Sequence, residues 1–366
     1  MEKLSRRSLL LGGAGLSLGA LTLAASGCRP GPGSLASSNA STNTRSRGTL
    51  AHLRIGYQKG GALNVLRLRG DLDRRLAREG VTVEWLNFPA GPQLLEALGV
   101  GSVDLGATGD APAIFAQAAG IPIAYVANTP PGDGDSRAIL VPKDSPIKSV
   151  AQLRGKRVAV QKGSGTHNFL VQALDRAGIP YESVQVRYLA PAEARAAFDA
   201  GSVDAWAIWD PFLAVAQKTT GARALVNGAG IVSAGGFYLS SREYARTHPD
   251  LLRAALEEVD RAGVWASKHP REAAELLSPS IGVDVATLEL NWRRAAKGDS
   301  GVGYRPIDAE VVAAQQKVAD IFLRIRLLPK RVDVRAGLLT PAEYAAITPA
   351  AGSAAKVAKA GEKEAL

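Results

Sequence analysis

The stretch Gly101-Ser-Val-Asp104-Leu-Gly-Ala-Thr-Gly-Asp110 recurs without a gap one hundred residues later, as Gly201-Ser-Val-Asp204-Ala-Trp-Ala-Ile-Trp-Asp210. A second matched pair, Arg54-Ile-Gly-Tyr-Gln-Lys59-Gly60 and Arg157-Val-Ala-Val-Gln-Lys162-Gly163, precedes each copy at nearly the same distance. A chain with this internal repeat is expected to fold as two like halves. Each half reads as short apolar strands that run into glycine-bearing turns and then into helices, the order of a parallel sheet covered on both faces. Such turns present free N–H groups at helix starts, and they lie at the carboxyl ends of the strands, where open α/β sheets bind ligands. Four of them facing one another across two lobes predict a cleft for a small molecule, and the helix dipoles favour an anion.

The ends of the chain are of a different kind. Ser5-Arg6-Arg7-Ser8-Leu9 leads into a mildly apolar run that ends at Ser26-Gly27-Cys28, so residues 1–28 read as an export signal resembling the twin-arginine type, although general secretion also accepts such a sequence. Cys28 is the sole cysteine, which excludes an internal disulfide, and its place resembles a lipoprotein cleavage site. Two maturations fit: lipidation of Cys28, or ordinary cleavage to a free periplasmic product, because Ala25 stands where a lipobox prefers leucine. Residues 29–50 are rich in Pro, Gly, Ser, Asn and Thr, too polar for a core, and read as a disordered tether. Residues 340–366 read as a C-terminal tail, with a helical turn over Pro341 to Ile347.

The body between them is long enough for two cores. The alternation predicts lobe one over residues 51–137 and 240–339 and lobe two over residues 138–239, with two crossings that form a hinge. A single helix is predicted over Ala62 to Arg78, a strand over Gly235 to Leu239 returning to lobe one, and helices almost throughout from His248 onward. The formal charge of +10 is partly carried by the signal and tether, and the remaining Lys and Arg are scattered among acids without a basic and aromatic patch. That pattern excludes a nucleic-acid partner and suits mild steering of anionic solutes.

The segment Gly163-Ser164-Gly165-Thr166-His167-Asn168 joins small residues, hydroxyl donors and a helix start, a set suited to an acceptor-only anion such as a sulfonate. Helix capping by Ser164 or Thr166 is compatible with that role. Ser164, His167 and Asp210 do not make a catalytic triad on this spacing, and the four histidines lack metal-ligand spacing, so neither a catalytic residue, a metal nor a cofactor is expected. Asp110 and Asp210 precede helices and read first as caps, or as partners for a polar group at the far end of the ligand. Trp206 and Trp209, which replace Gly106 and Gly109 of the first half, stand an odd number of positions apart on a strand; one is expected in the core and Trp209 as an apolar wall of the cleft. Trp85 and Phe88 suit either part, and Lys59 and Lys162 read as solvated.

The motifs Arg54 to Gly60, Phe88-Pro-Ala-Gly-Pro-Gln93, Val100 to Asp110, Gly163 to Asn168, Asp204 to Pro211 and Leu328-Pro-Lys-Arg-Val-Asp333 resemble, in order and spacing, the aliphatic sulfonate-binding proteins of bacterial ABC importers, with their taurine- and nitrate-binding relatives. The resemblance covers about Leu53 to Leu339. It implies an α/β fold, the two-lobed periplasmic binding protein of type II, each lobe a mainly parallel sheet flanked by helices. It also implies a monomer that captures an alkanesulfonate and delivers it to a membrane permease and its ATPase. Ligand contacts would fall on Gln58, Gly60, Thr108, Gly109, Ser164, Thr166, His167, Asn168 and Trp209, with Asp110 and Asp210 beside them. The segment Gly60-Gly61-Ala62-Leu63 departs from the family pattern at a ligand-facing turn. Two rival readings are an enzyme of the thiamine-pyrimidine synthase type on the same fold and a sulfonate-sensing binding protein.

Overall fold

The computed structural model describes residues 52–130, 132, 134–232, 235–295 and 303–349. The export signal, Cys28 and the tether lie outside the described residues.

The first half runs β1 (His52–Tyr57), α1 (Ala62–Arg69), α2 (Asp71–Ala77), β2 (Thr82–Asn87), α3 (Gly91–Gly99), β3 (Leu105–Thr108), α4 (Asp110–Ala118) and β4 (Ile123–Asn128). The second runs β5 (Arg137–Val141), β6 (Arg157–Val160), α5 (Gly165–Arg176), β7 (Gln185–Tyr188), α6 (Pro191–Asp199), β8 (Ala205–Trp209), α7 (Phe212–Thr220) and β9 (Arg223–Asn227). The chain then returns through β10 (Phe237–Ser241) to α8 (Arg242–Thr247), α9 (Pro249–Lys268), α10 (Pro270–Ile281), α11 (Val285–Ala295), α12 (Ala309–Arg324) and α13 (Pro341–Ile347).

The two five-stranded sheets share one plan. Their orders are β2-β1-β3-β10-β4 and β7-β6-β8-β5-β9, and the fourth strand of each, β10 or β5, is antiparallel to its neighbours. Those two strands adjoin the connections between the halves. Alternate residues of each sheet feed cores on opposite faces: Ile55, Leu105 and Tyr238 on one side of the first sheet, Tyr125, Phe237 and Leu239 on the other. In the second sheet Val158 and Ala205 point one way, Ala159 and Trp206 the other.

The repeated Asp is part of this plan. Arg54 on β1 grips Asp104, just before β3, through Nε at 3.0 Å and Nη2 at 2.6 Å, and its backbone N–H donates to the same carboxylate at 2.8 Å. Arg157 repeats the set on Asp204 at 3.1, 2.8 and 2.8 Å. The duplicated Gly-Ser-Val-Asp thus closes the strand-start end of each sheet, opposite the ligand end, with a bidentate charge-assisted pair.

Two expectations need revision. The helix predicted over Ala62 to Arg78 breaks at Gly70, whose φ of 68° lies in the left-handed region and caps α1 while starting α2. The return to the first sheet occurs by Phe237, which pairs with Thr108 and Asn128, so residues 237–239 belong with lobe one. The helical turn expected over Pro341 to Ile347 forms as α13 and is docked on lobe one: Ile347 is 1% exposed, and the Tyr344 hydroxyl donates to the Tyr125 carbonyl at 2.8 Å.

Candidate functional site

The carboxyl ends of β1, β3, β6 and β8 meet across the gap between the sheets. They enclose a cavity of about 330 Å³. Gln58, Gly60, Thr108 and Gly109 border it from the first lobe, and Ser164, Thr166, Trp209 and Asp210 from the second. The lobes touch where the starts of α4 and α5 converge. A Cβ placed on Gly109 would lie 3.3 Å from Gly165 Cα, and one on Gly165 would lie 3.0 Å from Asp110 Oδ1, so the approach requires two small residues.

On the second lobe the turn before α5 is held rigidly. Ser164 is the N-cap, its Oγ accepting the His167 N–H at 3.1 Å. The His167 ring points away from the cavity: Nδ1 accepts the Gly163 N–H at 3.1 Å, and Nε2 lies 2.7 Å from the Tyr181 hydroxyl. These partners fix the tautomer with the proton on Nε2. Burial, reinforced by the nearby Lys162 charge, lowers the His167 pKa to about 3. His167 therefore orders the turn as a neutral ring.

Asn168 likewise serves the lobe contact. Its Nδ2 donates to Asp110 Oδ2 at 2.6 Å across the gap, and its Oδ1 accepts from Gln172 at 3.0 Å. Asp110, 1% exposed, also accepts the Ala111 N–H at 2.7 Å. Desolvation raises its pKa, and the Arg137 charge opposes that rise. Neither Asp110, His167 nor Asn168 is placed on the cavity wall.

Asp210 does reach the wall, but as a neutralised group. Arg294 of α11 reaches over from the first lobe to within 3.1 Å of its Oδ2, and the Ala214 N–H donates to its Oδ1 at 3.0 Å. Burial raises the Asp210 pKa while the Arg294 charge holds it down. The same Arg294 donates to Gln217 at 2.8 Å, and Arg324 pairs with Asp175 elsewhere on the seam between the lobes.

Trp206 is fully buried and Trp209 borders the cavity. The reason differs from strand alternation: both border the same core cluster, and Trp209 reaches the gap because it ends β8. Trp85 donates to Asp73 at 3.1 Å, away from the cavity, and Phe88 packs against lobe-one core. Lys59 borders the cavity, whereas Lys162 rests over the Tyr188 ring.

Sequence reasoning missed Arg137, Thr129, Ser136 and Asn291, all of which border the cavity. Arg137 opens β5 at the first crossing between the sheets, its Nη1 3.6 Å from the Cβ position of Gly165, and its charge acts on the buried Asp110. Its nearness to a crossing is the signal that was available. Among the described residues no group of three or more His, Cys, Asp or Glu side chains is placed to hold a metal ion.

The chemistry of this wall is that of a donor-rich, anion-accepting pocket with one aromatic side. Comparison with known proteins agrees with it. The NMT1/THI5-like family model matches residues 76–273. An aliphatic sulfonates-binding protein of Escherichia coli K12 is 43% identical over 293 residues, 80% of this chain and 89% of that protein. One of Bacillus subtilis 168 is 34% identical over 288 residues, 78% of this chain and 85% of that protein. Among solved structures, the alkanesulfonate-binding protein of Xanthomonas axonopodis pv. citri bound to MOPS superposes with a TM-score of 0.73 at 42% identity, covering 79% of this chain and 98% of that one.

Proposed function

Since the chain belongs to the NMT1/THI5-like family and, within it, to the aliphatic sulfonate-binding proteins, we propose that it captures an organosulfonate outside the cytoplasm and hands it to an ABC importer. The observation that carries this reading is the cavity itself, with Ser164, Thr166, Thr108 and Arg137 on its wall and Asp210, the one carboxylate among the described residues that line it, already paired with Arg294. A sulfonate accepts hydrogen bonds and carries a charge at all physiological pH values, so such a wall favours it over neutral solutes. Trp209 offers the alkyl or aromatic tail an apolar face.

Ligand joins groups from both lobes, and only contacts made in the closed state shift the equilibrium toward closure. Binding without turnover suits this site. The His167 ring is committed to Gly163 and Tyr181, which removes the base that an enzyme reading would use to activate Ser164.

Delivery to the permease requires export. Residues 1–28 supply a twin-arginine-like signal, and Cys28 is the point of lipid attachment in a tethered form; mass spectrometry of the mature N-terminus separates an acylated Cys28 from a cleaved, free protein. The functional test is titration calorimetry with hexanesulfonate, MOPS and taurine, paired with thermal melting. Micromolar binding and a raised melting temperature are expected for the alkanesulfonates. A flat response to every sulfonate overturns the proposal.

A further inference from the structure

The seam between the lobes has two flanks of unlike chemistry. On one, lobe two is set into the core of lobe one. Val171 of α5 is buried in the cluster that holds Phe322 of α12, the Phe322 ring lies 5.1 Å from that of His167, and the Phe115 ring of α4 stands 3.3 Å from the Cβ position of Gly163. The exposed Arg324 pairs with Asp175 at the rim of this flank. On the other flank α11 of lobe one meets α7 of lobe two. Each of these helices turns its apolar side to its own lobe, Leu288 and Trp292 into one core, Leu213 and Ala216 into another. The bonds that pass between them are polar.

Those bonds sit at the two ends of α11. Asp284, just ahead of the helix, accepts the Thr287 N–H at 3.1 Å and the Thr287 hydroxyl at 2.8 Å, and the same carboxylate takes Lys218 Nζ of α7 at 2.6 Å. Roughly 15 Å further along the axis, Arg294 donates to Asp210 at 3.1 Å and to Gln217 at 2.8 Å. Lobe two thus grips α11 at both ends, and Asn291 between them borders the cavity. Parting apolar surfaces costs free energy in proportion to their area, whereas an ion pair as exposed as Lys218 and Asp284, at 53% and 50%, exchanges its partner for water cheaply and re-forms as readily. The Arg294–Asp210 pair, at 16% and 2%, is the stronger end, because losing Arg294 strands a buried carboxylate.

We propose that α11 is a polar latch on the cavity: its two-ended grip on α7 forms as the lobes close and sets how long the loaded form lasts. This rests on the sulfonate-binding reading and adds to it the element that governs release. The grip joins lobe to lobe and lies outside the ligand's own contacts, so it acts on the closed form after the encounter. Its loss should therefore appear in the rate of release and leave the rate of capture unchanged.

The test is stopped-flow tryptophan fluorescence of the full chain with hexanesulfonate, on wild type, Lys218→Gln, Asp284→Asn, the double variant of that pair, and Arg294→Gln. Asparagine at position 284 keeps a cap for Thr287. Lys218→Gln and Asp284→Asn are each expected to release the ligand about threefold faster, and the double variant no faster than either, because all three lack the same pair. Arg294→Gln should release it about tenfold faster or more. Capture rates and ligand-free melting of Lys218→Gln and Asp284→Asn should match wild type, and raising KCl from about 50 mM to about 500 mM should close the gap in release rate between wild type and Lys218→Gln. Wild-type release from Lys218→Gln or Arg294→Gln, losses that add in the double variant, or a gap that persists at high salt overturns the latch while leaving sulfonate binding in place. A wild type that takes up no sulfonate overturns the parent reading and the latch with it.

Discussion

Asn168 of the second lobe donates to Asp110 of the first at 2.6 Å, inside a contact that leaves Asp110 only 1% exposed. This bond spans the gap, so it exists only when the lobes are together. Asn168→Ala leaves the carboxylate buried with one donor fewer, which disfavours closure. Sulfonate affinity is expected to fall by about tenfold, on the order of 1–2 kcal/mol, with a smaller effect on the ligand-free protein. Small-angle scattering checks the mechanism: the variant stays extended at a ligand concentration that compacts wild type.

Stability should depend on His167 as the pH falls. Its folded pKa, about 3, lies below the ordinary 6.5, so the unfolded chain takes up a proton that the folded protein refuses. The stabilisation is fully present above about pH 6.5 and is lost as the pH drops toward 3, at about 1.4 kcal/mol per pH unit. Asp110 and Asp210, whose pKa values burial raises, act in the opposite sense as the pH climbs above the carboxylate range. Urea unfolding of wild type and His167→Asn at pH 7.5 and 5.0 isolates the histidine: the variant should lose less on acidification by about 2 kcal/mol.

The two Arg–Asp clamps make the same bonds in different surroundings. The Asp104 side chain is 5% exposed and Asp204 29%. Asp104→Ala should therefore cost about 2–3 kcal/mol in chemical denaturation and Asp204→Ala about 1 kcal/mol, because removing a partner costs more where water cannot replace it. Equal losses would show that burial is not what sets their worth.

Trp209→Ala tests the apolar wall by chain length. Methanesulfonate, with almost no tail, should bind the variant nearly as well as wild type, while hexanesulfonate loses about tenfold in calorimetry. A uniform loss across the series would place Trp209 at the head group.

Much of this was legible in the sequence because duplication writes the plan twice. The strands and their turns are read from apolar runs ending in glycine, and the two copies vouch for each other. Ser164 and Thr166 were readable as cavity residues because a helix start leaves donors free. His167 and Asn168 lie off the cavity wall because, three and four positions past the N-cap, the helix turns them toward Tyr181 and toward Asp110 of α4. Arg294 was invisible because an arginine on an amphipathic helix looks solvated until a distant carboxylate is folded onto it. Arg137 and Asn291 come from the hinge and from α11, outside the repeated motifs. The repeated Asp marks the duplication, but its partner arginine lies fifty residues upstream in the first half and needs the sheet to bring it near.

The crossings between the sheets begin and end on paired strands. Asn128 stands beside Phe237 in one sheet, and Ala138 beside Asn227 in the other. The halves are therefore joined by two connections, each of which leaves one strand pair and enters the other. Two tethers set side by side hinder the halves from turning about a single link, which favours a swing about the line between them. The faces that part when cargo leaves must come back in the same alignment on every cycle, so the jaws need no search for their register.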